Sequence, residues 1–134
     1  MPSHLSGFTL LEVLVALVIL AVGLLGAAAL QINALSSAHS AYQRSIASVI
    51  AVDAGERLWV DLANGQLNAN KVQTQWQKFW QDRLDTTLPD FSGSIACNDD
   101  NVCTITVIWS ETRFQNEPQQ TSFSYLTRLL PNRL

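Results

Sequence analysis

The chain opens on a long apolar run whose pattern differs from everything that follows it. Between Phe8 and Leu30 only Thr9 and Glu12 are clearly polar. As an α-helix this run would be about 35 Å long, and the hydrocarbon core of a bilayer is roughly 30 Å thick. The pattern therefore predicts a membrane-spanning helix. A carboxylate in such a run raises the free energy of membrane insertion by on the order of 3 kcal/mol. We therefore expect Glu12 to have a charged partner or a specific function.

Beyond Leu30 the apolar residues recur every three or four positions, which is the spacing of one face of a helix. This stripe consists of Leu35, Ala38, Tyr42, Ile46, Val49 and Val52. Asn64-Gly65 predicts the end of the helix, because glycine readily adopts the left-handed conformation that follows a helix C-terminus. We therefore predict one helix from Phe8 to near Ala63, with its second half packed on a globular head.

A second, shorter amphipathic helix is predicted from Lys71 to Leu84. The residues on its apolar face are Val72, Trp76, Phe79, Trp80 and Leu84. Aromatic residues at this spacing favour a core role over a ligand-binding platform. Pro89 lies just beyond the helix and prevents its continuation, because proline has no backbone N–H and restricts the residue before it.

The remaining residues predict three β-strands and a turn at Asn116-Glu117-Pro118. The strands are Ser92–Ala96, Cys103–Trp109 and Thr121–Leu130. In the second strand, one side carries Cys103, Ile105, Val107 and Trp109. In the third, Phe123, Tyr125 and Leu129 alternate with Ser122, Ser124 and Arg128. The predicted fold class is α+β, with a long N-terminal helix, half of it transmembrane, packed on a small antiparallel sheet.

Composition and charge exclude some classes of function but do not identify the function itself. The 134 residues carry a formal net charge of −3, and the eight Lys and Arg residues do not cluster. No nucleic-acid partner is expected from this balance. The hydrophobic content of 48% is inflated by the apolar run. The rest of the chain is long enough for one small domain.

The two cysteines, Cys97 and Cys103, flank the turn-forming sequence Asn98-Asp99-Asp100-Asn101. A zinc site would need more ligands, and a catalytic thiol would need a nearby base. The pattern favours a disulfide across a turn, which implies an oxidising compartment and adds about 2 kcal/mol of stability on the chain-entropy model. Two free buried thiols are the alternative interpretation.

No catalytic constellation is present in the sequence, so no enzyme activity, cofactor or metal is expected. The chain has no glycine-rich phosphate loop, zinc-ligand spacing or nucleophile elbow. Asp99 and Asp100 could hold calcium, but an acidic pair in an Asn-rich turn is usually a solvated loop. His39 is predicted to lie on the surface of the first helix, and His4 lies before the apolar run.

The segment Gly7-Phe8-Thr9-Leu10-Leu11-Glu12 resembles the N-terminal signature of type IV pilins and type II secretion pseudopilins. That signature is a short leader ending in Gly, an aromatic residue, and an apolar helix with Glu at its fifth position. The resemblance implies cleavage by a prepilin peptidase between Gly7 and Phe8 and N-methylation of Phe8. It also implies that the Glu12 carboxylate pairs with the positively charged N-terminal amine of a neighbouring subunit during assembly.

Further segments resemble the PilV-type minor pilins in particular. They are Leu10–Leu17, Gly23–Gly26, Ala41–Ser45 and the tail with Cys97, Cys103, Thr104, Thr106 and Trp109. The resemblance implies a pilin-like fold and a low-abundance subunit of the pilus tip that helps prime assembly. The implied partners are other minor pilins, the major pilin, the prepilin peptidase and the inner membrane, with the pilus as the location after assembly.

In this interpretation residues 1–7 are the leader, residues 8–30 span the membrane, and residues 31–134 form a periplasmic head. Three alternatives remain: a secretory signal cleaved after Ala28 or Ala29, a minor pseudopilin of type II secretion, and a membrane-anchored periplasmic binding module. The binding module would need exposed aromatic residues with basic neighbours, whereas Trp59, Trp76, Trp80 and Trp109 are predicted on apolar faces.

Overall fold

The computed structural model describes residues 7–84, 86–111 and 119–130. Its element order is α1 (Leu10–Ala63), α2 (Ala69–Leu84), β1 (Ser92–Cys97), β2 (Val102–Glu111) and β3 (Gln119–Arg128). This order confirms the predicted α+β class and its pilin-like arrangement of a long apolar helix and a small antiparallel sheet. The chain divides into two compact units, with the boundary between Ser37 and Ala38. The predicted turn at Asn116-Glu117-Pro118 lies outside the described residues.

Helix α1 is continuous for 54 residues, as the sequence predicted, and begins two residues after Phe8. In the first unit its residues are exposed almost throughout; Leu10 is 86% exposed and Leu25 is 71% exposed. By length and composition this helix could cross a membrane. A helix that is apolar on all sides and is not buried within its own unit needs another apolar environment, such as a membrane or another protein.

The second part of α1 buries a different face from the one that the sequence predicted. The buried residues are Ser40, Gln43, Ala47, Ile50, Ala51, Ala54, Gly55 and Leu58. The predicted stripe is instead largely exposed: Tyr42 is 55% exposed, Val49 58% and Val52 42%. Both faces of the helix are apolar, and the face with small residues is the one that admits close packing. Gly55 shows this, since a Cβ there would lie 3.3 Å from Cε1 of Tyr125.

We call the outward apolar face of this part of α1 the exposed apolar stripe. It consists of Tyr42, Val49, Val52, Trp59 and Val60. Trp59 lies on an apolar face, as predicted, but this face points outward and Trp59 is 41% exposed. Trp76 and Trp109 are fully buried, and Trp80 packs at the margin of the core.

The sheet has the strand order β1-β2-β3 and is antiparallel throughout the described residues. Its inner face carries the core residues that alternation predicted: Cys103, Ile105, Val107 and Trp109 are all fully buried. On β3, Ser122, Ser124 and Arg128 are exposed, whereas Phe123 and Tyr125 are half-buried. The observed strands extend the predicted ones by one or two residues at most ends, and β3 ends at Arg128 rather than Leu130.

Helix α2 fills the space beside β1 through Trp76. The indole Nε1 of Trp76 donates a hydrogen bond to the backbone oxygen of Ile50 at 3.0 Å, which ties α2 to α1. The ring also lies so close to Gly93 on β1 that any Cβ there would collide with it. Phe79 was predicted on the buried face but is 37% exposed.

Candidate functional site

Helix α1 begins with a cap at Thr9. Thr9 Oγ1 accepts a hydrogen bond from the backbone N–H of Glu12 at 3.3 Å, and the Thr9 carbonyl accepts one from the N–H of Val13, also at 3.3 Å. Leu10 is the first helical residue, so Thr9 is the N-cap and Glu12 is the third helical residue. Thr-x-x-Glu is the sequence of a capping box, in which Ser or Thr and Glu or Gln satisfy helix-end donors.

The capping side chain is that of Thr9, and Glu12 contributes its backbone N–H; the sequence analysis missed this cap, although a Thr just before the apolar helix was the signal for it. The carboxylate also lies in the first turn of α1, where the positive end of the helix dipole stabilises negative charge. Glu12 therefore contributes to helix initiation whether or not it has a partner in another molecule. A test of an assembly role has to separate the charge of Glu12 from the helix cap formed by Thr9.

A shallow, open groove runs along one side of this helix end. It is lined by Phe8, Glu12, Val13, Ala16, Leu17 and Leu20. These residues recur at helical spacing from one turn to the next, and Glu12 is the one titratable group among them. Phe8 is 83% exposed. The groove thus presents an apolar surface with one carboxylate, and a carboxylate in an apolar environment is costly without a counter-charge.

Gly7 and Phe8, the residues of the predicted cleavage site, are both exposed. An ideal Cβ on Gly7 would have no neighbour within 4 Å, so the backbone is accessible. Cleavage there would leave a new ammonium group at Phe8, four residues before Glu12. A cation at the positive end of a helix dipole is unfavourable, and in an apolar environment it needs a counter-charge.

The cystine lies in the second unit, at the hairpin of β1 and β2. Cys97 and Cys103 are opposite each other in the strand register and form a disulfide. The turn between them is held by Asn98, whose Oδ1 accepts hydrogen bonds from the N–H groups of Asp100 at 3.1 Å and Val102 at 2.9 Å.

Asp99 and Asp100, the calcium candidates, are exposed in this turn. In the described residues no group of three or more His, Cys, Asp or Glu side chains could hold a metal ion. His39 is exposed on α1, as the sequence predicted.

A polar corner between α1 and α2 was not predicted from the sequence. The Asp61 carboxylate accepts hydrogen bonds from the N–H of Asn68 at 2.8 Å and from Nζ of Lys71 at 3.2 Å. The Asn68 N–H, and after it Lys71, lower the pKa of Asp61 below its usual value. Asn68 also caps α2, because its Oδ1 accepts from the Lys71 N–H at 3.0 Å. These hydrogen bonds join the end of α1 to the start of α2 and so hold the loop between the two helices.

A second polar group lies nearby on the same two helices. Asp53 Oδ2 accepts from Nε of Arg57 at 2.9 Å and from Nε1 of Trp80 at 2.8 Å. The guanidinium groups of Arg57 and Arg83 lie 4.6 Å and 3.8 Å from the centroid of the Phe79 ring. These cation–π contacts explain why Phe79 is tolerated at the surface. All of these interactions are internal to the domain, and none forms a catalytic arrangement.

Comparison with known families gives one match at the N-terminus. Residues 3–28 match the prokaryotic N-terminal methylation motif. No curated protein and no solved structure shows significant similarity to the chain. The matched region contains Gly7, Phe8 and Glu12, and it extends over most of the apolar run. The motif therefore supports a type IV pilin-like or pseudopilin protein that is structural, anchored in a membrane and processed by a prepilin peptidase.

Proposed function

We propose that the chain is a minor pilin of the type IV pilus, of the PilV type, that joins a low-abundance tip complex and helps prime pilus assembly. The observation that carries this proposal is the groove at the start of α1, where a single carboxylate lies in an apolar surface one helical turn after Phe8. After cleavage each subunit would offer one ammonium group at Phe8 and one carboxylate at Glu12. Because an unpaired charge in lipid is costly, pairing between neighbouring helices favours their staggered association.

The exposed apolar stripe of α1 supports the same proposal. Exposed apolar patches mark interaction sites, and the stripe is such a patch, with the exposed carboxylate of Glu56 among its residues. The stripe lies on the same helix as Glu12 but in the second unit. It would pack against helices of other minor pilins and the major pilin once the chain has entered the complex. The protein would span the inner membrane once, with a periplasmic C-terminal domain, and would enter the pilus on assembly.

A minor pseudopilin of type II secretion is the second candidate, because the methylation motif supports either class equally. The cystine hairpin and the Ala41–Ser45 segment, which resemble PilV-type pilins, favour the pilus. Deletion of the gene would separate the two functions. A strain that loses surface piliation and twitching but secretes normally supports the minor pilin, and the reverse result supports the pseudopilin.

The processing step can be tested on the protein purified from membranes. We expect N-terminal sequencing and intact mass to show N-methylated Phe8 as the first residue. Cleavage after Ala28 or Ala29 would contradict the proposal. A mature chain that begins at Phe8 without the methyl group would contradict the methylation alone.

The role of Glu12 can be tested with variants that separate charge from capping. Glu12→Gln keeps a residue that serves in a capping box but removes the charge, whereas Thr9→Val removes the cap and keeps the charge. We expect Glu12→Gln to insert into membranes as well as the wild type, since a neutral side chain lowers the insertion cost. We also expect it to lose most of its co-purification with partner pilins.

Thr9→Val is the matched control and should keep most of that co-purification. If Thr9→Val is as defective as Glu12→Gln, helix capping explains the phenotype. If Glu12→Gln assembles normally, Glu12 is not an assembly residue and the proposal fails.

A further inference from the structure

The outward face of α1 in the second unit follows a heptad spacing. We call it the heptad seam, and its residues recur at alternating steps of three and four: Tyr42, Ser45, Val49, Val52, Glu56 and Trp59. At about 100° per residue these positions lie within roughly 100° of one another around the helix. This is the spacing by which two parallel helices pack their side chains into each other.

The heptad seam points away from the domain. All of its residues are exposed, and none belongs to the core cluster of the described domain. The buried residues of α1, which include Ala47, Ile50 and Ala54, occupy the opposite side of the helix. The Tyr, Val and Trp side chains of the seam are therefore removed from water only when another helix covers them.

The covering helix runs in the same direction as α1. Helix α1 is continuous from Leu10 to Ala63, so the seam belongs to the helix that begins with the apolar run. This step rests on the proposed function, in which the partner subunits are inserted in the same membrane with the same orientation. In a parallel pair each seam position faces the equivalent position of the other helix.

Glu56 is the single charged residue of the heptad seam. One helical turn to either side of it lie Val52, Asp53, Trp59 and Val60, none of which is basic. A basic residue at one of these positions would have been a neighbour for an ion pair within the helix. The helix itself therefore leaves the charge of Glu56 unbalanced.

Two basic residues line a groove together with Glu56, and each of them is engaged by another carboxylate. Nε of Arg57 lies 2.9 Å from Oδ2 of Asp53, and Nζ of Lys71 lies 3.2 Å from Oδ1 of Asp61. Among the described residues no cation pairs with the Glu56 carboxylate. Glu56 thus presents one unneutralised negative charge within an otherwise uncharged seam.

We propose that the heptad seam docks a parallel helix of a different membrane-anchored chain, that this helix carries Lys or Arg opposite Glu56, and that Glu56 prevents pairing with a second copy. In a pair of identical chains Glu56 would face Glu56, and like charges opposed across an interface suppress such a pairing. A cation on the partner satisfies the same carboxylate. A single charged seam position of this kind determines the choice of partner.

The inferred partner has a defined chemistry, which deepens the proposed function: apolar residues at heptad spacing with one cation among them. The same charge has a consequence for assembly, because a chain that cannot pair with itself through the seam joins a complex one copy at a time. Glu12 takes no part in this pairing, so the two carboxylates can be tested separately.

Cysteine cross-linking between two differently tagged copies of the full-length protein in membranes tests the seam and its charge together. Both copies carry Ser45→Cys, at a seam position eleven residues before Glu56, and Cys97 and Cys103 are already bridged. One copy or both also carry Glu56→Lys, so that position 56 holds Glu and Glu, Glu and Lys, or Lys and Lys. We expect mild oxidation to give roughly fivefold more disulfide-linked dimer for the mixed pair than for either like-charged pair.

Ser48→Cys replaces the Ser45→Cys reporter in the control. Ser48 undergoes the same change of Ser to Cys on the same helix, but it is half-buried and lies off the seam. Two thiols at this position do not face each other in a parallel seam pair, and a disulfide requires Cα atoms within about 7 Å of each other. We expect the mixed pair to give roughly fivefold less dimer with this reporter.

Co-purification with other pilins from membranes tests the cation on the partner. Glu56→Asp keeps the negative charge, whereas Glu56→Lys reverses it. We expect Glu56→Lys to reduce co-purification roughly fivefold or more and Glu56→Asp to keep most of it. The native disulfide in each variant reports that the domain has folded.

Equal dimer yields for the three charge combinations would overturn the role of Glu56, and equal yields from Ser45→Cys and Ser48→Cys would rule out the seam. Normal co-purification of Glu56→Lys would show that no cation faces Glu56, and the proposal fails. A deletion strain that is defective in secretion and not in piliation would contradict the proposed function alone, because that result leaves the expected cross-linking pattern unchanged.

Discussion

Single residues decide how closely the elements of the second unit approach each other. Gly93 on β1 and Gly55 on α1 both lie under aromatic rings, those of Trp76 and Tyr125. The Trp76 ring is fully buried and still satisfies its indole N–H through the Ile50 carbonyl. A buried donor without such a partner would cost about 1–3 kcal/mol. The core is therefore specified by the fit of a few large rings against small residues.

Gly93→Ala should destabilise the domain by roughly 1–3 kcal/mol, because the new methyl group collides with a buried ring that cannot move without disturbing the core. Chemical denaturation monitored by tryptophan fluorescence measures the change. Ser94→Ala, at the exposed neighbouring position, should stay within about 0.5 kcal/mol of the wild type. Similar stabilities for the two variants would show that Trp76 repacks freely.

At the scale of elements, the polar corner at Asp61 fixes the connection from α1 to α2. The hydrogen bonds from Asn68 and Lys71 favour the ionised form of Asp61. The pKa of Asp61 is lowered in the folded state, so its contribution to stability is fully present above the unfolded pKa of about 3.9. That contribution is lost as the pH falls through the lower, folded pKa.

Asp61→Asn should therefore reduce stability at pH 7 and flatten the loss of stability below about pH 4. Thermal melts of the full chain in detergent between pH 7 and pH 2 would show this. Asp82→Asn changes the same charge at an exposed site on α2 and serves as the control. An identical pH profile for wild type and Asp61→Asn would contradict a stabilising role for the Asp61 carboxylate.

The two faces of α1 in the second unit also differ at the scale of elements. Val49→Asp lies on the exposed apolar stripe and should change stability by no more than about 0.5 kcal/mol. Ala47→Asp introduces an unpaired charge into the core, where Ala47 is fully buried, and should cost on the order of 3 kcal/mol or more. Thermal unfolding measures both.

If the stripe packs against other subunits, Val49→Asp should also lower co-purification with partner pilins while the domain stays folded. Unfolding of the domain by Val49→Asp would show that this residue belongs to the core. Normal folding together with normal co-purification would remove the stripe from the assembly surface.

At the scale of the whole molecule, each unit exposes a different surface that no other part of the described chain covers. The first unit exposes an apolar helix, and the second exposes the stripe of α1. Both surfaces combine apolar side chains with one carboxylate, that of Glu12 in the first unit and that of Glu56 in the second. A chain with two such surfaces is suited to assembly with other chains rather than to catalysis.

The sequence by itself determined the elements, because their patterns are local. The apolar run, the alternation on β2 and β3, and the glycine after α1 predicted two helices and three strands close to their observed bounds. The N-terminal signature was also local, since Gly7, Phe8 and Glu12 lie within a few residues of each other. The helix cap at Thr9 was readable in the same way, because Thr9 directly precedes the helix.

Which face of α1 is buried depends on contacts that form only in the folded domain. Both faces are apolar, and a helical pattern cannot tell a face of large residues from a face of small ones. The folded domain buries the small residues Ala47, Ala51, Ala54 and Gly55, because small residues let a helix pack closely. The polar corner at Asp61 likewise depends on residues that are distant in sequence, so it becomes visible only after folding.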